Sequence, residues 1–269
     1  MVDEKTYFET IAEYKLLAKH EVGQNFLVDP SVASKIVAAA ALNEKDHVLE
    51  IGSGAGSLSY FIAASPAEAD LIDIDEGLVT KLQGDFQNVA HVHPQIGNIM
   101  RYDVSPYQKI IGNLPYYITS GILERLLLEA TSCSLMVLMV QKEAFERLTA
   151  KIGSKDYGPL PLLLQAQGTT KRLFTVPRSS FAPAPHVDSV VFCFAFRPDS
   201  NFPYAKKLYA IMNACFLHRR KTIQNNVASY LQSTEKAKDV LTKAGIAPTL
   251  RPEELSLTQY QTLASVLNQ

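Results

Sequence analysis

Short apolar runs alternate with helical spacings through the first two thirds of the chain. Four near-continuous apolar segments stand out: HVLEIG from His47, ADLIDID from Ala69, KIIGNL from Lys109 and SLMVLMV from Ser134. Such runs between helical stretches predict buried strands of a parallel sheet covered on both faces. Asp29 followed by Pro30 opens SVASKIVAAAA, an N-cap with proline in the first helical turn. KEAFERLTA and LPLLLQAQ predict two more helices, on either side of the loop KIGSKDYG, and RLFTV and SVVFCFAF predict two more strands. The opening MVDEKTYFETIAEYKLLAKH spaces its apolar residues as an amphipathic helix and has no signal-peptide core. RPDSNFP, residues 197–203, breaks the pattern, and the remainder reads as helical throughout. The expected fold class is α/β: a Rossmann-like, doubly wound sheet over residues 1–197, with residues 1–28 as helix and covering segment. A small all-helical domain is expected over 198–269.

Composition narrows the picture in three ways. With 47% hydrophobic and 20% charged residues, the 269-residue chain can build a large core and is not disordered. No apolar run approaches the roughly 20 residues of a membrane span; a cytoplasmic location and a monomer are the expectations. Cys133, Cys193 and Cys215 are far apart and form no C-x-x-C, which favours reduced, buried thiols over disulfides or a metal site. Charge is uneven. Residues 201–269 carry nine basic and four acidic side chains, a surplus of five, although the whole chain is net −1. Asn201 to Thr234 contains no acid but does contain Lys206, Lys207, Arg219, Arg220 and Lys221. A basic module on an acidic body suggests a polyanionic partner, with a merely solvated helix face as the competing explanation.

The candidate chemistry sits where apolar runs end. VLEIGSGAGSLS places Gly52, Gly54 and Gly56 just after the first run, where missing Cβ atoms allow a sharp turn and close approach to a ligand. Ser57 breaks the G-x-G-x-x-G pattern of dinucleotide binding and Glu50 precedes it, which counts against a nicotinamide enzyme. His47, His91 and His93 read as loop residues, which leaves no proton relay for such an enzyme. The second run ends in LIDID, and a carboxylate there can grip ribose hydroxyls. The third ends in Asn113-Leu114-Pro115-Tyr116. An amide oxygen on Asn113 and the Leu114 carbonyl can together accept both protons of an exocyclic amine. Pro115 holds Leu114 extended, and Tyr116 offers a face for a base to stack on, worth about 1–3 kcal/mol. An adenine amine held this way is aimed at an electrophile, and an adenosine-containing cofactor with a sulfonium methyl, S-adenosylmethionine, supplies one. A proline turn with tyrosine as filler is the bland alternative.

GQNFL, LEIGSGAG, GNLPYYI, QKEAFERL, SKDYGPLPLLLQ, VPRSSFAPAPHVDSVV and FLHRRKTIQNN occur in one order between residues 22 and 260. Together they resemble the bacterial small-subunit ribosomal RNA adenine N6,N6-dimethyltransferases, the kasugamycin-resistance type. The resemblance implies dimethylation of two adjacent adenosines in a hairpin loop near the 3′ end of small-subunit rRNA, within the assembling subunit. It implies that Gln24, Asn25 and Leu27 cover the methionine end of the cofactor and that Gly52 and Gly54 line it. Asp73 would hold the ribose, Asn98 and Ile99 would face the cofactor's adenine, and Ile74 and Asn113 would also belong to the cofactor site. Asn113 to Tyr116 would form the catalytic turn, and Phe181 would sandwich the target adenine opposite Tyr116. From the residues alone, Phe181 reads as core. Arg147, Lys151, Lys155, Arg219, Arg220 and Lys221 would hold RNA, and no metal is implied.

Three positions depart from the family pattern: Asp73 stands where glutamate is usual, Asn98 where aspartate is usual, and Glu21 interrupts a basic segment. The loop between Asn98 and Asn113 is also short. Two rivals follow. One is a large-subunit rRNA adenine methylase of the macrolide-resistance kind, which the basic C-terminal piece argues against. The other is a non-catalytic RNA-binding or assembly factor, which the intact Asn113 turn argues against.

Overall fold

A computed structural model describes residues 25–267, so the amphipathic helix expected at the N-terminus, and Gln24 and Glu21, lie outside the described residues. Two compact units emerge. Among the described residues, one comprises 25–145 together with Thr170–Pro198; the other comprises Glu146–Thr169 together with 199–267.

The first unit is built on β1 (Phe26–Leu27), α1 (Pro30–Ala39), β2 (His47–Ile51), α2 (Ser59–Ala63), β3 (Glu68–Asp73), α3 (Glu76–Asp85), β4 (Val92–Ile96) and β5 (Lys109–Asn113). It continues through α4 (Thr119–Glu129), β6 (Leu135–Gln141) and the start of α5 (Lys142–Leu148). After α6 (Pro159–Gln167) it resumes in β7 (Gly168–Val176), β8 (Phe181–Ala182) and β9 (Ser189–Phe196). The main sheet has the order β4-β3-β2-β5-β6-β9-β7. Four adjacent pairings, from β4 to β6, are parallel, but β9 runs antiparallel to β6. The sheet is therefore mixed rather than wholly parallel.

The apolar runs became strands because both faces are covered. On one face Val48, Ala69, Leu71, Ile111, Val137 and Val191 pack with Val32, Ala33, Ile36 and Val37 of α1 and with Ile62 of α2. Their neighbours Ile110, Met136, Leu138 and Phe192 alternate to the other face and are equally inaccessible. Asp29 caps α1 as expected, accepting from the Ser31 and Val32 amides. β4, VHPQI, has no apolar run to announce it and carries Pro94. It is an edge strand, where a missing ladder donor is tolerated. His93 therefore lies in a strand, with its Nε2 2.5 Å from Glu68, and His47 opens β2, 3.0 Å from Asp70. Neither is a loop residue.

In the second unit, α7 (Phe202–Phe216), α8 (Ile223–Leu231), α9 (Thr234–Lys243) and α10 (Leu257–Leu267) share a core with Ala150, Tyr157 and Leu162. Tyr157 donates to the Leu255 carbonyl at 3.1 Å, and the Gly153 amide to that of Glu253 at 2.8 Å. The expected single boundary at 197/198 thus omits two further crossings, at 145/146 and 169/170. KIGSKDYG and LPLLLQAQ belong with the helices because Tyr157 and Leu162 are buried among them. Cys133 and Cys215 are buried free thiols, pushed up to about 12 by burial, and Cys193 is half-buried against the sheet core.

Candidate active site

Strand order reverses at β2, which has β3 on one side and β5 on the other. Open α/β sheets bind ligands at such a switch point, beyond the C-terminal strand ends. Register brings the motif-bearing ends level: Ile51 lies opposite both Ile72 and Gly112, Asp73 opposite Ile96, and Asn113 opposite Met139. A cavity of about 700 Å³ opens there, lined among others by Asn25, Leu27, Gly52, Asp73, Asn98 and Asn113.

The glycine turn is tied to the acidic strand end. Gly52, Gly54 and Gly56 have φ of 70°, 54° and 95°, a region that a side chain rarely adopts. The Gly54 amide donates to Asp73 Oδ2 at 2.8 Å, and Asp73 Oδ1 accepts from the Asp75 amide at 2.9 Å. Each carboxylate oxygen keeps a further lone pair for a ligand hydroxyl. Ser57, the residue that breaks the dinucleotide pattern, donates its hydroxyl to the Leu27 carbonyl at 2.6 Å. It thereby fastens the Asn25–Leu27 segment over the turn. β1 also pairs with β8, setting Leu27 opposite Phe181.

Asn98 and Ile99 line the cavity in the turn after β4. The Asn98 amide oxygen accepts from the Met100 amide at 2.9 Å, so it shapes its own turn while one lone pair stays available. Arg125 of α4 donates to the carbonyls of Ile99 and Tyr102 and clamps this turn from behind. Ile74, 68% exposed, lines the rim.

The Asn113–Tyr116 turn closes β5. The Leu114 amide donates to Met139 at 3.0 Å and its side chain is buried; Thr119 Oγ1 donates to the Pro115 carbonyl at 3.1 Å. Tyr116 shares a hydrogen bond of 3.0 Å with Ser189, and burial raises its phenol pKa. Asn113 Oδ1 is buried without any hydrogen-bond partner, and Nδ2 makes one marginal contact, 3.5 Å from the Asn25 carbonyl. A native structure seldom strands a buried acceptor at the mouth of a cavity without a use for it. Ser53 Oγ, on the same lining, is likewise buried and unpartnered.

Beneath the turn, a Cβ on Gly112 would lie 2.8 Å from the Ile51 carbonyl oxygen, backbone against backbone. Gly112→Ala is expected to cost about 1–3 kcal/mol and to displace Asn113, lowering Tm. Unchanged melting would show that β2 and β5 can separate at no cost.

Glu50 and Ser53 are among the lining residues to which the sequence reading gave no site role. Glu50 is 1% exposed, accepts the Ser59 hydroxyl at 2.6 Å and lines the cavity. Burial pushes its carboxyl up to about 8, with Ser59 opposing and Asp73 adding to the rise. The signal was there: an acid inside an apolar run. Ser53 gave none.

Phe181 goes elsewhere. It is 4% exposed, packed in the sheet core, and is not among the residues lining the cavity. Its stacking role opposite Tyr116 is not what this arrangement displays, because pairing of β8 with β1 turns it inward. Arg147, Lys151, Lys155, Arg219, Arg220 and Lys221 all fall in the helical unit. All but Arg219 are exposed. Arg219 donates to the Ser154 carbonyl at 2.7 Å, joining the 151–155 loop to the 219–221 turn. Among the described residues no group of histidines, cysteines and acids could hold a metal, and no helix is long and apolar enough to cross a membrane.

A sheet whose glycine turn, acidic strand end and Asn-Leu-Pro-Tyr turn converge at the switch point defines a Rossmann-like fold of the methyltransferase type. The family model described as ribosomal RNA adenine dimethylase matches residues 16–269, and the chain belongs to that family. It is 38% identical over 273 residues to ribosomal RNA small subunit methyltransferase A of Streptococcus pneumoniae strain P1031, covering 93% of this chain and 91% of that one. Among solved structures, a dimethyladenosine transferase from Plasmodium falciparum matches with a TM-score of 0.75 and 24% identity over 87% of this chain and 94% of that one. The 23S rRNA methyltransferase ErmE matches with 0.65 and 23% over 91% and 100%, and both structures share the fold.

Proposed function

We propose that this chain transfers methyl groups from S-adenosylmethionine to the N6 amines of two adjacent adenosines in a hairpin loop near the 3′ end of small-subunit rRNA. The observation that carries the reading is the orphaned, buried Asn113 Oδ1 in the cavity. The residues present fit the cofactor. A mostly apolar cavity is met by a glycine turn, a carboxylate at the second strand end, and the Asn98–Ile99 turn. When bound, S-adenosylmethionine supplies an electrophilic methyl group on a cationic sulfur.

The chain's own residues do the rest by positioning. Asp73 accepts ribose hydroxyls, Asn98 and Ile99 face the cofactor's adenine with Ile74 at the rim, and Asn25, Leu27, Gly52 and Gly54 enclose the methionine end. Asn113 Oδ1 and the Leu114 carbonyl each accept one proton of the target amine, so its lone pair points at the methyl group. Tyr116, held by Ser189, stacks on the target base. Holding the reactants in line supplies most of the rate without a strong base. A base buried this deep must first leave its stack.

The exposed basic residues of the helical unit, Arg147, Lys151, Lys155, Arg220 and Lys221 with Arg219 behind them, hold rRNA phosphates. Reversing charge at Arg220 and Lys221 together is expected to weaken small-subunit binding at least tenfold and to flatten its salt dependence, leaving cofactor affinity unchanged. Unaltered salt dependence would remove this face from the RNA contact. Cutting the chain at residue 200 is no substitute, because it would strip the core from Tyr157 and Leu162.

The test of the whole reading is labelled methyl transfer to small subunits that lack the modification, with large subunits in parallel. Label recovered from small-subunit RNA as N6,N6-dimethyladenosine supports it; label in large subunits only, or none with cofactor bound, refutes it.

A further inference from the structure

Tyr117 follows the Asn113–Tyr116 turn and does the opposite of its neighbour. Tyr116 is half-buried and anchored on Ser189; Tyr117 is 71% exposed while still lining the cavity. Among the described residues few large apolar side chains are so exposed, and Ile74 and Met100, also exposed, line the same cavity, so Tyr117 is part of an open apolar rim of the kind that marks a binding surface. The residue is also presented stiffly. The Ile118 amide donates to the Pro115 carbonyl at 3.3 Å, and Thr119 Oγ1 reaches the carbonyls of Pro115 and Tyr116 at 3.1 and 3.4 Å. The backbone on both its flanks is therefore pinned, which fixes the point at the cavity mouth from which the ring projects.

We infer that Tyr117 is a second stacking platform, for the base adjoining the target adenosine. This rests on the function proposed above, in which two adjacent adenosines are modified. One aromatic inside the cavity and the next at its lip match one base drawn in and one left outside. Stacking tolerates any base but is weakest for the least stacked, so the platform favours a purine neighbour. When the enzyme moves to the second adenosine, the first, already methylated, takes the outer place. Tyr117 in this way sets the preference for a paired substrate, whereas the Asn113 turn recognises a single amine.

The experiment uses small subunits assembled from transcribed rRNA, either natural or with one of the two adjacent adenosines replaced by uridine, and measures single-turnover transfer to the remaining one. Wild-type protein is compared with Tyr117→Ala and Tyr117→Phe, and cofactor affinity is read by calorimetry. Tyr117→Ala is expected to slow transfer on natural subunits about tenfold, with cofactor affinity within twofold. Uridine is expected to slow wild type by a similar factor and to add little to Tyr117→Ala, because both remove one stack. Tyr117→Phe should restore wild-type behaviour. Additive losses, a loss in Tyr117→Phe equal to that in alanine, or a parallel fall in cofactor affinity would each overturn the assignment. If wild type transfers nothing to natural subunits, the proposed function itself has failed; if it transfers normally and Tyr117→Ala does too, only the platform has.

Discussion

Asn113→Ala is expected to lose methyl transfer by at least about 10²–10³-fold, the scale for removing one preorganised polar group at a reacting centre, while melting at the wild-type temperature. The combination is the informative part. Asn113 Oδ1 has no internal partner and Nδ2 has only the 3.5 Å contact to Asn25, so truncation breaks no good hydrogen bond in the fold. Removing an unsatisfied acceptor is neutral or mildly stabilising. Cofactor affinity should stay within a few-fold, since Asp73, the glycine turn and the Asn98–Ile99 turn are untouched. Single-turnover labelling, calorimetry and thermal melting separate the three quantities. Wild-type-like turnover would remove the proposed geometry, and a large fall in Tm would mean that Asn113 is structural.

The second large effect concerns Glu50. Its carboxyl, pushed up to about 8 by burial, holds its proton in the folded protein well above the ordinary carboxylate range. Below about pH 4.5 folded and unfolded chains are both protonated there, and the full stability is present. From about 4.5 to 8 the unfolded chain ionises first, so stability falls as pH rises, by up to about 1.4 kcal/mol per pH unit, and levels off above 8. Glu50→Gln mimics the protonated acid and can keep the Ser59 hydrogen bond. Denaturant melts across pH 4–9 are expected to show the variant gaining on wild type steadily through this window. Parallel curves would mean that Glu50 ionises normally in the fold.

What the chain disclosed by pattern follows from its chemistry. The strands at His47, Ala69, Lys109 and Ser134 were legible because burial on both faces demands unbroken apolar runs. β4 was not, because an edge strand is half solvated and can carry Pro94. The break at 197–203 was legible as a loop, but the return of Tyr157 and Leu162 to the helical core was not. Only packing partners far along the chain reveal that. Asp73 and Asn113 were legible because a polar residue ending an apolar run is costly unless used. Ser53, an ordinary residue in a glycine turn, was not. Phe181 reads as core from the residues and as a base-stacking residue from the resemblance; the β1–β8 pairing sets it in the sheet core of this arrangement.

By itself the sequence determined the α/β class, the family's motifs and which strand ends carry polar groups, because periodicity and residue type are local properties. Tertiary structure alone decided that these ends meet at the reversal of strand order, that Asn113 keeps an idle acceptor, and that Glu50 holds its proton. It also decided that Tyr117 faces outward beside an anchored Tyr116. Each of these depends on what other parts of the chain bring, or fail to bring, within hydrogen-bonding or packing distance, and no local pattern encodes that.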